Sequence, residues 1–105
     1  MSHVQISRTK IVPEQWQDLT PEENDAKTTA IYAVIGANGG DVKVVGFTPS
    51  DTALVSVIEY PDELAAKKSV AGIIALGTLE FISIDVIWDV VEWTTMIREA
   101  NEATS

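Results

Sequence analysis

The chain has 105 residues, 46% of them hydrophobic and 22% charged, which suits one globular domain with a single core and excludes a disordered chain. Its 7 Lys and Arg against 16 Asp and Glu leave a formal net charge of -9, so phosphate backbones and anionic membrane surfaces are repelled, and neither nucleic acid nor membrane is expected as a partner. The absence of cysteine removes disulfides, thiolate nucleophiles and thiolate metal sites. No apolar stretch reaches the ~18 residues of a membrane span and the first residues carry no leader-like apolar run, so the expectation is a soluble cytoplasmic protein.

In chain order, Val4, Ile6, Thr9 and Ile11 alternate imperfectly with Gln5, Ser7, Arg8 and Lys10, which predicts a half-exposed strand over about 3–12, ended by Pro13. Thr20, Pro21 and Glu23 form a capping box with proline at the first helical position. The helix they open carries Ala26, Ala30, Ala33, Val34 and Ala37 at helical spacing, widened by Ile31 and Ile35. That small-residue face is expected to pack closely on a sheet. Asn38-Gly39-Gly40 then stops the helix, and because these glycines follow a helix instead of opening one, they read as a left-handed cap rather than a phosphate loop.

Two β-rich runs follow at 41–47 and 52–60, joined by Thr48-Pro49-Ser50-Asp51, and predict an antiparallel hairpin. Asp62 and Glu63 suit the start of a second helix whose expected buried face holds Leu64, Ala71, Ile74 and Ala75, until Gly77 closes it. The run GTLEFISIDVIWD reads as a strand with Ile82, Ile84, Val86 and Trp88 on one side and Phe81, Ser83, Asp85 and Ile87 on the other. Asp89 three residues before Glu92, with Val90, Trp93, Ile97 and Ala100 beyond, predicts a final helix over about 90–102; a strand continuing through Trp93 is the competing reading.

One domain over 1–105 results, with an N-terminal strand and loop in 1–19 and a C-terminal helix and tail in 90–105. Its βαββαβ order is the α+β, ferredoxin-like pattern: a four-stranded antiparallel sheet, two helices on one face and a C-terminal helix. The hairpin strands are apolar on both sides, apart from positions such as Lys43 and Ser56, so the other sheet face also needs a cover. A homodimer or higher homo-oligomer, built as a dimeric α+β barrel, supplies one.

The stretch from Gly40 to Asp89 carries Gly40, Val42, Lys43 and Val45 on a strand, the segment ALVSVIEYPD ending in Glu59-Tyr60-Pro61-Asp62, an alanine-rich helix, and Leu76, Gly77 and Leu79 to Phe81 at the next turn and strand. Together these resemble the GYD-domain family and the wider dimeric α+β barrel superfamily. The Gly-Tyr-Asp tripeptide that names the family is replaced by the turn at 48–51, where Asp51 keeps the aspartate. The resemblance implies a ferredoxin-like fold and homo-oligomers. It implies no particular activity, since the superfamily spans cofactor-independent monooxygenases, haem-degrading enzymes, dehydratases and stress-response proteins.

His3 is the only histidine, too little for a multi-histidine metal site or for haem ligation of the usual kind, and no metal or cofactor is expected. Asp85 and Asp89 lie roughly 13 Å apart on a continuous strand, too far to share a proton or to act as a glycosidase pair. Asp89 reads as a cap. Asp85 reads as a charge guarding a sheet edge, with the catalytic acid or base of a cavity as the alternative, which makes it the candidate catalytic residue. Glu59, Tyr60 and Trp88 are the candidate ligand contacts, set at strand ends or offering a flat ring. Trp16 and Trp93 read as filling or contact residues.

The leading functional expectation is a small homo-oligomeric protein that binds a small apolar molecule between helices and sheet. Two alternatives stand beside it: a cofactor-independent barrel enzyme of monooxygenase or isomerase type using an acidic residue, and an assembly subunit for another protein.

Overall fold

The computed structural model describes residues 2–104. Strand β1 (His3–Ile11) leads through a short 3-10 turn (Pro13–Gln15) to helix α1 (Pro21–Ala37), the hairpin β2 (Asp41–Thr48) and β3 (Ala53–Tyr60), helix α2 (Glu63–Leu76), strand β4 (Leu79–Ile87) and helix α3 (Val90–Thr104). The four strands form one antiparallel sheet in the order β2-β3-β1-β4. This is the ferredoxin-like α+β arrangement expected from the order of elements, and α1 and α2 cover one sheet face.

The boundaries sit where local chemistry puts them. Thr20 accepts from the Glu23 amide at 3.1 Å while the Glu23 carboxylate accepts from the Thr20 amide at 3.2 Å, completing the capping box of α1. The helix ends as the Gly40 amide bonds back to the Ile35 carbonyl at 2.9 Å, with Gly39 at φ 73. Asp62 caps α2 through the Ala65 amide at 2.8 Å, and Gly77 at φ 74 closes it. Asp89 accepts from the Glu92 amide at 2.9 Å, so α3 starts at the aspartate that the sequence marks as its cap. At the hairpin turn the Asp51 carboxylate accepts from the Thr48 hydroxyl and, at 3.3 Å, from the Ala53 amide; the Thr48 bond is the main reason its acidity lies on the strong side of an ordinary aspartate.

Two helical faces differ from expectation. On α1 the residue that buries is Ile35, with Ile31 and Val34 packed against the same core, whereas Ala26, Ala33 and Ala37 face solvent. The helix packs chiefly on α2, where Val34 lies over Gly72, and not flat on the sheet. On α2 the buried positions are Ala66, Ser69 and Ile73, and Leu64 and Ile74 are exposed. The reason is steric: Ala66, Ser69 and Gly72 are the small side of α2, and they let it come down close to Tyr60 and Val34.

Strand β1 is inverted relative to its hydrophobic pattern. The buried residues are Gln5, Ser7 and Thr9, which face the helices, while Val4 and Ile6 face the other way. Pairing propagates this choice, because residues directly opposite across an antiparallel ladder share a face: Gln5 stands across from Ile58 and Val86, and Ile6 across from Val57 and Asp85. A bulge in β4 opposite Arg8 and Thr9 moves Phe81 onto the helix side with Ile84 and Val86, leaving Ser83, Asp85 and Ile87 on the open side. A second irregularity, between Val42 and Val44, turns Val42 inward and Val44 outward.

The open face of the sheet is therefore apolar in its middle, with Ile6, Val57 and Val44 adjacent across three strands. Helix α3 projects away from this body. The molecule measures 64 × 31 × 19 Å with a radius of gyration of 17.1 Å, where a compact domain of this length has about 13 Å.

Candidate functional site

The inversion of β1 leaves a cavity of about 330 Å³ between the sheet and the two covering helices. Its floor is the helix-facing side of β1 and β3, and its roof is the flank of α1 carrying Thr28, Ile31, Tyr32 and Ile35. A helix packs flat on a sheet when both surfaces are apolar. Here the centre of the floor is Gln5, Ser7, Thr9 and Ser56, so α1 has little apolar floor to close upon.

The polar floor divides into satisfied and unsatisfied parts. Ser7 and Ser56, paired across β1 and β3, share a hydroxyl–hydroxyl bond of 2.7 Å. Gln5 and Thr9 are only 4% and 7% exposed as whole residues, line the cavity and make no side-chain hydrogen bond to another described residue, but their polar atoms open onto the cavity. Among the described residues, the one fully enclosed side-chain polar atom without a partner is the Thr78 hydroxyl. Gln5 and Thr9 thus offer hydrogen-bonding groups to whatever fills the cavity, water or ligand.

At the Gly40 end, Tyr60 is fully buried and its hydroxyl donates to Ser69 at 2.8 Å. Burial lifts the phenol above its ordinary value, an effect partly offset by that bond. At the opposite end Trp16 closes the cavity wall, and its indole N–H donates to the Thr78 carbonyl at 2.8 Å. The lining residues contain no Lys, Arg, His, Asp or Glu. The site is electrically neutral.

The four residues singled out from sequence fall in three places. Tyr60 lines the cavity. Glu59 lies on the opposite sheet face, across from Val4 and Asp41, with Lys43 at 3.5 Å. Asp85 is exposed on that same face, on the edge strand β4. Trp88 is exposed and stacks at a tilt on Trp93, ring centres 5.2 Å apart, beside a shallow hollow that also takes in Val4 and Met96. The structure thus brings none of Glu59, Asp85 and Trp88 to the cavity. The residues that do meet there, Gln5 and Thr9, escaped notice because alternation alone shows that a strand has two faces and not which one turns inward.

Among the described residues, no cluster of three His, Asp or Glu side chains is placed to hold a metal ion. No described helix is long and apolar enough to cross a membrane.

Two solved structures are similar over most of the chain. One is the structural-genomics protein YJCS, with a TM-score of 0.53 at 13% identity over 85% of this chain and 99% of that one. The other is Rv0793 from Mycobacterium tuberculosis, with a TM-score of 0.50 at 12% identity over 86% of this chain and 96% of that one. The shared fold is ferredoxin-like. No family model matches the chain and no curated protein matches it in sequence, so the likeness extends to architecture and leaves the GYD-domain resemblance resting on the residues that suggested it.

Proposed function

We propose that this is a homo-oligomeric small-molecule-binding protein whose ligand occupies the cavity between α1, α2 and the sheet. The observation that carries the reading is a mainly apolar cavity into which Gln5 and Thr9 present polar groups that bond to no other described residue. Its volume of about 330 Å³ falls within the usual range for ligand pockets, ~300–1,000 Å³. The cavity is open along part of its boundary, so a ligand can enter it and release water from its apolar walls on doing so.

The second half of the reading concerns the open sheet face and α3. Val44 is 57% exposed on the edge strand β2, next to Val57 of β3, and Val90, Trp93, Met96 and Ile97 are all exposed on a helix that the rest of the chain covers little. A second copy of the chain offers a matching apolar sheet and so covers both at once, as the resemblance to dimeric α+β barrels implies. Burying roughly 800 Å² per protomer is enough for a stable interface. In such an assembly Asp85 would leave solvent, and the enzymatic alternative, with Asp85 handling a proton, would acquire the dry environment it needs.

Native mass spectrometry of the purified protein under gentle conditions tests both halves. Retained small-molecule mass that disappears in Ser56→Phe, where a ring fills the centre of the cavity, is the expected result. A wild-type mass without any adduct after exposure to a cell extract would count against the ligand, and a monomeric mass against the assembly.

A further inference from the structure

The proposed site also specifies what kind of molecule it takes, and this step rests on the ligand-binding reading above. Three features of the cavity act together. Its lining has no Lys, Arg, His, Asp or Glu and only the phenols of Tyr32 and Tyr60, so a charged ligand that enters gives up hydration without gaining a counter-charge. Its walls are aliphatic and aromatic: Ile31, Ile35, Ile58, Ile73 and Phe81 surround the floor. Its floor carries a line of hydrogen-bonding groups along β1, in which the middle member, Ser7, is already bonded to Ser56 and the outer two bond to no other described residue, while Thr28 and Tyr32 add hydroxyls to the roof.

Gln5 and Thr9 are four residues apart on one strand, about 13 Å between Cα atoms at ~3.3 Å per residue. Gln5 lies where the cavity meets a shallow hollow beneath α2, and Thr9 lies toward Ile11 and Trp16 at the other end. The amide can donate and accept, and the hydroxyl can do the same, so either end suits a neutral hydroxyl or carbonyl.

We infer that the ligand is a neutral, elongated amphiphile of about two fused rings, with an uncharged hydrogen-bonding group at each end, read by Gln5 at one end and Thr9 at the other. The apolar body fills the space under α1, and the two polar ends satisfy the side chains that the protein leaves unpaired. Discrimination follows from the asymmetry of hydrogen bonding in a dry site: a molecule lacking either polar end leaves a buried group without a partner.

The test uses three probes on the intact protein: naphthalene, a naphthalenediol with hydroxyls on opposite rings, and the matching naphthalene dicarboxylate, each titrated by calorimetry and by backbone amide chemical shifts. The diol is expected to bind the wild type at least about tenfold more tightly than naphthalene, the loss of one buried hydrogen bond being worth that much. The dicarboxylate is expected not to bind. Gln5→Leu and Thr9→Val should each weaken the diol by about tenfold while naphthalene binds more tightly, since neither variant strands that polar side chain beneath it, and the gain for naphthalene shows that the cavity of the variant is intact.

Equal affinities for diol and naphthalene, or an equal loss of both in the variants, would mean that the polar line holds only water; the inference then falls and the cavity remains a ligand site. Tight binding of the dicarboxylate would overturn the neutrality argument. Failure of all three probes to shift any amide of the cavity would remove the ligand-binding reading itself.

Discussion

The Tyr60 hydroxyl donates to the Ser69 Oγ at 2.8 Å, and both side chains are completely enclosed. This bond ties the end of β3 to the middle of α2 and fixes how far α2 stands above the sheet. Tyr60→Phe keeps the ring and strands Ser69 in an apolar setting, so it should cost roughly 1–2 kcal/mol in urea unfolding. At this chain length the corresponding fall in Tm is about 4–8 °C per kcal/mol.

The same residue sets a limit in alkali. Burial keeps the Tyr60 proton on above the ordinary 10.0, so the folded form holds it at pH values where the unfolded chain has begun to release it. The stabilisation is fully present below pH 10 and is lost as pH rises from there through the raised folded value. Unfolding free energy measured from neutral pH upward should therefore decline above pH 10 in the wild type, with a shallower decline in Tyr60→Phe.

Gly40 joins the cap of α1 to the start of β2. A Cβ there would stand 2.5 Å from Ile35 Cγ2, 2.8 Å from the Tyr60 ring and 3.0 Å from the Ile35 carbonyl oxygen. Because one of those neighbours is backbone, the clash cannot be relieved by turning a side chain. Gly40→Ala should destabilise by about 1–3 kcal/mol, whereas Gly46→Ala, with open space around its Cα, should change stability by less than about 0.5 kcal/mol. Thermal denaturation of the two variants side by side checks the contrast.

Thr20→Ala removes the hydroxyl that accepts from Glu23 and breaks the capping box of α1. The expected cost is about 1 kcal/mol. Hydrogen exchange should show the loss concentrated in the first turn of the helix.

Asp85→Asn separates the two meanings of that residue. In the isolated protomer, where Asp85 is exposed on an edge strand, the change should leave stability within about 0.5 kcal/mol of wild type, and ligand binding in the cavity should be untouched because Asp85 faces away from it. If turnover of some substrate is found for the wild type and abolished in this variant, the enzymatic reading gains the residue it needs. If turnover survives, that reading loses its acid.

Caps and the order of elements along the chain were legible in the sequence because each depends on a few residues close together: Thr20 with Glu23, Asp62 before α2, Asp89 before Glu92. The faces were not, and β1 shows why. Its apolar residues occupy even positions at Val4 and Ile6 and its semi-polar ones odd positions at Gln5, Ser7 and Thr9, so a rule that buries the apolar side selects the wrong face. What settles the matter is the pairing of β1 with both β3 and β4, a contact between distant segments to which no local pattern refers. The bulge that sends Phe81 inward is likewise a property of the ladder, and it undid the regular alternation expected for β4. The helical stripes failed for a related reason. Alanines at helical spacing describe a surface that can pack closely, and the floor that α1 meets is polar.

Helix α3 has 15 residues and stands outside the body of the chain. A helix of that length is marginal in water without tertiary support, and apart from the stacking of Trp93 on Trp88 its apolar side chains, Val90, Met96 and Ile97 among them, stay exposed in their own protomer. Its order must then follow mass action: dilute the protein and the last seventh of the chain should melt first, concentrate it and the helix returns. Far-ultraviolet ellipticity would vary with protein concentration, and so would the near-ultraviolet band of the Trp88–Trp93 pair, while amide exchange in the body of the sheet held steady. The chain would carry, in its final turns, a gauge of how much of itself is present.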